Sequence, residues 1–301
     1  MEFFEKQLIN KVLNMNLEEL MQLIISPQDS CIVAEERIYQ AASIAPLISE
    51  TLIGAPIRCY TPLEYSRYVA PYRDYDKMLI LMDESEKITP QMKNLMDICR
   101  IMNIQTIVIL FGRESVELKK IFTPEIISLN LDLKDELSKT IITTTLIVRL
   151  LAETSIKKSG SERAKNVLNE IKTIEPNKES EERLKYIFSK ILNGNIMQIF
   201  SDHILLGVLN IAISEIAMNM QFKPVIYRID DHPKITMKMR EKIVRTAVFT
   251  SEVEEDIAKQ ICNYIKINGG EAEEYIEKGE PIIAPIQLSI NLNRIINKVD
   301  K

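Results

Sequence analysis

Only two histidines occur in the 301 residues, His203 and His232, and each stands beside carboxylates. Ser201-Asp202-His203 and Asp230-Asp231-His232-Pro233 therefore hold groups suited to moving protons near neutral pH. The first is not a catalytic triad, because sequence neighbours do not by themselves reach nucleophile–base–orienter geometry. Ser201 or Asp202 reads instead as a helix N-cap. In the second, two aspartates should raise the imidazole pKa and hold it cationic, although His beside Asp and before Pro is also an ordinary turn. A second candidate is Asp83-Glu84-Ser85-Glu86-Lys87-Ile88-Thr89, where hydroxyls and an ammonium could meet an anion at a helix N-terminus. Three carboxylates in the same loop repel a phosphate dianion, and Lys87 offsets one of them. Thr89 can donate a hydroxyl or cap the helix opened by Pro90, which is the ordinary role of Thr-Pro. Arg37 follows Glu35-Glu36. It can bind an anion at a helix start or form a surface ion pair with either glutamate.

Other chemistry is excluded. Lys plus Arg is 38 against 43 Asp plus Glu, a net charge of −5, which argues against a nucleic-acid-binding protein. No apolar run is long enough to span a bilayer, and the start Met1-Glu2-Phe3-Phe4-Glu5-Lys6 lacks the pattern of a signal peptide, so a cytoplasmic protein is expected. Cys31, Cys59, Cys99 and Cys262 lie in or beside apolar runs without CxxC spacing, so neither a disulfide framework, a metal site nor a cofactor is expected. There is no GxGxxG, GxxxxGK[ST] or HExxH. The Ile/Lys/Glu bias is one shared by thermophile proteins and AT-rich genomes. Tyr60, Tyr65, Tyr68, Tyr72 and Tyr75 lie near Arg58, Arg67 and Arg73, a composition that suits an interface.

The elements that would position these residues alternate. Apolar periodicity predicts a helix over 2–25 and another over 38–52, kinked or split by Pro46 and stopped by Gly54. Thr61-Pro62-Leu63-Glu64 is a capping box. Apolar runs at 31–34, 56–60, 77–82, 106–111 and 126–129 read as strands, and 134–153 as a long helix. After a polar stretch, the pattern returns with strands at 195–200, 224–229, 247–250 and 281–283 and helices at 181–192, 205–219, 253–268 and 287–299. Strands apolar on both faces, alternating with helices, form a parallel sheet covered on both sides. The expected fold is α/β: two tandem doubly wound, flavodoxin-like units. The expected organisation is an N-terminal helix (1–25), a first unit (26–155), a helical linker (156–183) and a second unit (184–301).

Several stretches resemble the sugar-isomerase (SIS) domain family. Cys31–Tyr39 is similar to its first strand-to-helix turn, Ala55–Tyr65 to the following strand and helix, 77–86 to the strand carrying its phosphate loop, and Ala284-Pro285-Ile286-Gln287-Leu288 to the start of its last helix. The tandem pair resembles the isomerase half of glucosamine–fructose-6-phosphate aminotransferases and the archaeal phosphoglucose/phosphomannose isomerases. The resemblance implies a sugar-phosphate ligand, a homodimer and aldose–ketose isomerisation, with Ser85, Thr89, Arg37 and Lys87 on the phosphate and Glu215 and His232 as the acid–base pair. The family's Ser-x-Ser-Gly-x-Thr phosphate loop keeps only Ser85 here; Glu86 replaces the glycine and Ile88 the threonine. The family's catalytic glutamate falls on Ala217 or Met218, so Glu215 is either a displaced base or a solvated helix residue. The departures point to a degenerate member that binds a carbohydrate derivative or serves a regulatory or structural role. A working isomerase is the alternative.

Overall fold

The computed structural model describes residues 4–73, 75–83, 88–112, 125–129, 131, 133, 135–217, 223–232 and 245–299. The chain divides into two compact units, Met1–Lys172 and Thr173–Lys301.

In the first unit, β1 (Ser30–Ala34), β2 (Arg58–Tyr60), β3 (Lys77–Met82), β4 (Gln105–Leu110) and β5 (Glu125–Ser128) form one parallel sheet in the order β2-β1-β3-β4-β5. β1 is buried along its length, as are β3 and β4 beyond their first residues, which is why these strands are apolar on both faces. The region expected as one N-terminal helix is two, α1 (Phe4–Leu13) and α2 (Glu18–Ile24). Asn16 ends the continuity by accepting the Glu18 N–H on its side chain at 3.1 Å. Pro46 splits the next helix as expected, into α3 (Glu36–Ala42) and α4 (Ala45–Ile53), with the proline in the first turn of α4 where its missing N–H costs nothing. Gly54 closes α4 at φ +83°, the left-handed region that favours glycine. Thr61 and Glu64 form the capping box of α5 (Pro62–Glu64), which runs into a π-helical turn at Tyr65–Val69. Thr89 caps α6 (Pro90–Ile101).

The centre of this unit is α7 (Glu136–Ser159), a 24-residue helix that packs on α1, α2, α3 and α4. It is buried on nearly every side, and the hydroxyls of Thr140, Thr143, Thr144 and Thr154 donate to carbonyls one turn back, as Thr143 does to Lys139 and Thr144 to Thr140. α8 (Glu162–Thr173) follows.

The second unit holds α9 (Lys178–Leu192), β6 (Gln198–Ser201), α10 (Leu206–Ile216), β7 (Val225–Arg228), β8 (Arg245–Ser251), α11 (Glu255–Ile267), β9 (Glu271–Glu277) and α12 (Ala284–Val299). Its sheet is also parallel, in the order β7-β6-β8-β9. One strand differs from expectation. Pro281-Ile282-Ile283 is the turn into α12, and the edge strand is the glutamate-rich Glu271–Glu277, paired with β8 from Arg245↔Glu271 to Ser251↔Glu277. One of its charges is met from α9: Glu273 binds Arg183 at 2.9 Å and Lys190 at 2.5 Å and accepts the Tyr186 hydroxyl at 3.1 Å. Partial burial opposes its ionisation, but these hydrogen bonds prevail and hold its carboxyl below the ordinary value.

Candidate functional site

Both sheets reverse strand order after their first strand, so a crevice opens between the carboxyl ends of β1 and β3 and another between β6 and β8. In open parallel sheets such switch points are where ligands bind.

In the first unit, Glu35 follows β1 directly. Its backbone N–H bonds the Leu81 carbonyl of β3 at 3.1 Å, and its Oε2 accepts the N–H of Asp83 at 2.8 Å. The carboxylate thus occupies the first N–H beyond β3. Burial pushes the Glu35 pKa up, opposed by that N–H and by Lys139. Asp83 in turn binds Lys139 Nζ of α7 at 2.5 Å, and Lys139 also reaches Glu136 at 3.2 Å. The Lys139 side chain is only 11 % exposed, and burial disfavours its charge, yet Asp83 and Glu136 hold it protonated with a raised pKa. Arg37 completes the series at 2.9 Å from Glu136, with 76 % of its side chain in solvent. The surface pair expected with Glu35 or Glu36 is therefore made with Glu136, which no local spacing announces.

The second unit repeats the arrangement position for position. Asp202 follows β6, its N–H bonds the Phe249 carbonyl of β8 at 3.1 Å, and its Oδ2 accepts the N–H of Ser251 at 2.6 Å. In each unit the acidic side chain accepts the N–H two residues beyond the one whose carbonyl its own N–H uses. Oδ1 of Asp202 also accepts the Leu205 N–H at 2.9 Å, the capping role expected at the start of α10. Asp202 is 1 % exposed. Burial raises its pKa, and the two N–H groups oppose that. Glu254 is raised by burial and by the charges of Asp202 and Asp230, so this crevice too is acidic.

The other expected site residues each have their own surroundings. Thr89 spends its hydroxyl on the Met92 N–H at 3.3 Å. Ser85 and Lys87 lie outside the described residues. Glu215 is half-buried in the last turn of α10, not on a solvated face. His232 is 9 % exposed, edge-on to Phe200 at 5.2 Å and to Tyr264 at 5.9 Å. It is not held cationic by its aspartates: burial lowers its pKa, and Asp230 pairs with Arg228 at 2.8 Å. Of the tyrosines, Tyr60, Tyr65 and Tyr75 form a cluster with centroids 6.1–6.3 Å apart, while Tyr68 and Tyr72 stay in solvent. A separate open cleft of about 640 Å³ lies between the α1–α2 turn and the end of β5, lined by Lys11, Asn14, Asn16, Glu19 and Ser128 among others, and among the described residues none of the expected site residues lines it. Among the described residues no group of His, Cys, Asp and Glu is arranged to hold a metal, and no helix is long and apolar enough to cross a membrane.

Glu35 and Lys139 did not stand out in the sequence as site residues. The available signals were an acidic residue at the carboxyl end of an apolar strand and a lysine inside a helix otherwise buried.

No protein-family model matches the chain, and no curated protein matches it in sequence. Solved structures do match it in three dimensions. A candidate phosphosugar isomerase from Silicibacter pomeroyi superposes with a TM-score of 0.71 at 13% identity, covering 97% of this chain and 94% of that one. The C-terminal domain of glucosamine-fructose-6-phosphate aminotransferase from Francisella tularensis gives 0.69 at 12%, covering 98% and 92%. Glucosamine-6-phosphate deaminase from Thermotoga maritima gives 0.66 at 14%, covering 98% and 92%. The chain thus has the tandem parallel-sheet fold of the phosphosugar-isomerase, SIS-domain structures over nearly its whole length.

Proposed function

We propose that this chain is a non-catalytic protein of sugar-phosphate-isomerase fold, with both switch-point crevices closed by its own carboxylates, serving a regulatory or structural role. The observation that carries this reading is the repeated latch. Glu35 takes the N–H after β3, and Asp202 takes the last N–H of β8. A sugar phosphate would have to displace a carboxylate from each N–H and then sit among like charges. The names of the structural neighbours supply fructose 6-phosphate and glucosamine 6-phosphate as compounds to try, and the resemblance read from the sequence adds glucose 6-phosphate and mannose 6-phosphate. In a thermal-shift series with fructose 6-phosphate, glucose 6-phosphate, mannose 6-phosphate and glucosamine 6-phosphate, no shift is expected. A bound ligand at about one hundred times its Kd would add about 2.7 kcal/mol, which such an assay resolves easily. A clear shift with any of the four would overturn the closed-crevice reading.

The half-burial of Glu215 favours a second reading, an active aldose–ketose isomerase with Glu215 and His232 as its acid–base pair. It requires measurable turnover that Glu215→Gln abolishes without loss of fold.

A further inference from the structure

The cleft between the α1–α2 turn and the end of β5 differs in chemistry from both crevices. Its volume of about 640 Å³ is in the range of sites that take small molecules. Its floor is apolar. Successive side chains of a strand point to opposite faces of the sheet. Ile126 packs on the core cluster that holds Met92 and Leu95 of α6, so Ile127 and Leu129 face the other side, where they line the cleft together with Met15.

Its rim carries one charge of each sign. Lys11 lies in the last turn of α1 and Glu19 in the first turn of α2. Both are exposed, and neither side chain makes an ion pair or hydrogen bond among the described residues, with the other or with anything else. Asn14 and Asn16, which lie between them in sequence, bring two side-chain amides to the same cleft, and an amide both donates and accepts. The Asn14 amide is unengaged among the described residues, and Asn16 spends only its oxygen, on the Glu18 N–H.

We propose that this cleft binds a short peptide with free ends and an apolar side chain. Its carboxylate meets Lys11, its ammonium meets Glu19, its peptide groups meet Asn14 and Asn16, and its side chain rests on Met15, Ile127 and Leu129. Three points carry the inference. An unpaired cation and an unpaired anion on one rim complement a zwitterion, whereas an anion such as a sugar phosphate would meet Glu19 as well as Lys11. Lys11 and Glu19 do not reach each other, so the charges of the ligand must be apart too. In a free amino acid they share one carbon, and in a peptide they do not. Peptide N–H and C=O groups need an acceptor and a donor side by side, which the two amides supply, while the apolar floor takes the side chain out of water. The inference is independent of whether either crevice binds a sugar phosphate.

NMR titration of the full chain tests it, with the tripeptide alanyl-leucyl-alanine, its N-acetyl form, its C-terminal amide and free leucine. The free-ended tripeptide is expected to bind, and each of the other three to bind at least about tenfold more weakly, the loss of one charge-assisted contact. In Glu19→Gln the free and acetylated tripeptides should bind alike, and in Lys11→Gln the free tripeptide and its amide should. Both substituted side chains are exposed, and circular dichroism checks that the fold is kept. No binding of the tripeptide at millimolar concentration, equal affinity for the free and either blocked form, equal affinity for leucine, or preferences that persist unchanged in the two variants would each overturn the inference.

Discussion

Glu277→Gln should stabilise the protein at pH 8 by about 3 kcal/mol and leave it nearly unchanged at pH 4.5. Glu277 ends β9, is 2 % exposed, and accepts a hydrogen bond from the Tyr275 hydroxyl. Burial pushes its pKa from 4.5 to about 7, against the pull of that hydroxyl. Below 4.5 the carboxyl is protonated in both the folded and unfolded chains, and folding carries no penalty. Between 4.5 and 7 the unfolded chain releases its proton while the folded chain keeps it, so stability falls as the pH rises. The fall is complete above 7 and amounts to 2.5 units at about 1.36 kcal/mol each. Glutamine keeps an oxygen for Tyr275 and removes the titration. Urea unfolding of both proteins between pH 4.5 and 8.5 measures the difference directly. Glu35, Asp202 and Glu254 also have raised pKa values, but they act in both proteins and cancel. Two parallel stability curves, separated by a constant at every pH, would refute the claim that burial holds Glu277 neutral.

Three further outcomes follow from the crevices. Lys139→Met should destabilise by about 2 kcal/mol, discounted for the partial exposure of its partner Asp83, because it leaves Asp83 and Glu136 without their shared cation; in urea unfolding the Lys139→Met/Asp83→Asn pair should cost less than the sum of the single changes. Asp202→Asn should cost about 2 kcal/mol by the same measurement, since an amide offers one oxygen where two N–H groups need acceptors and turns its own N–H toward the other. His232 should titrate below 6.5 by NMR and be neutral at pH 7, and a value above 6.5 would restore the cationic reading.

Features that depend on neighbours in sequence were legible. Pro46 splitting a helix, Gly54 ending one, and the box between Thr61 and Glu64 each follow from the chemistry of residues within four positions. The buried strands were legible because covering both faces of a parallel sheet demands unbroken apolar runs. β9 was not, since an edge strand needs few apolar residues and its Glu273 finds Arg183 and Lys190, 90 and 83 residues earlier in the chain. The charge state of His232 failed for a related reason. Adjacent aspartates suggested a cation, but two aromatic rings from other elements supply the surroundings that decide.

The latch shows where reading by residue type stops. A glutamate or aspartate after an apolar strand marks a crevice poor for phosphate, but it does not say what the crevice does without one. The physical requirement is that a backbone N–H left at the end of a central strand must find an acceptor. A ligand-binding crevice can leave that group for the ligand or for water. Here the acceptor is built into the chain twice, with the same backbone bond from Glu35 to Leu81 and from Asp202 to Phe249, and the same reach two residues further. Mere loss of a binding loop would leave these N–H groups open, with no reason for the two units to agree. The two latches are instead one solution to one backbone problem, with a four-atom reach in one unit and a three-atom reach in the other. In both, the carboxylate–N–H bond is part of what ties together the two strands on either side of the switch point.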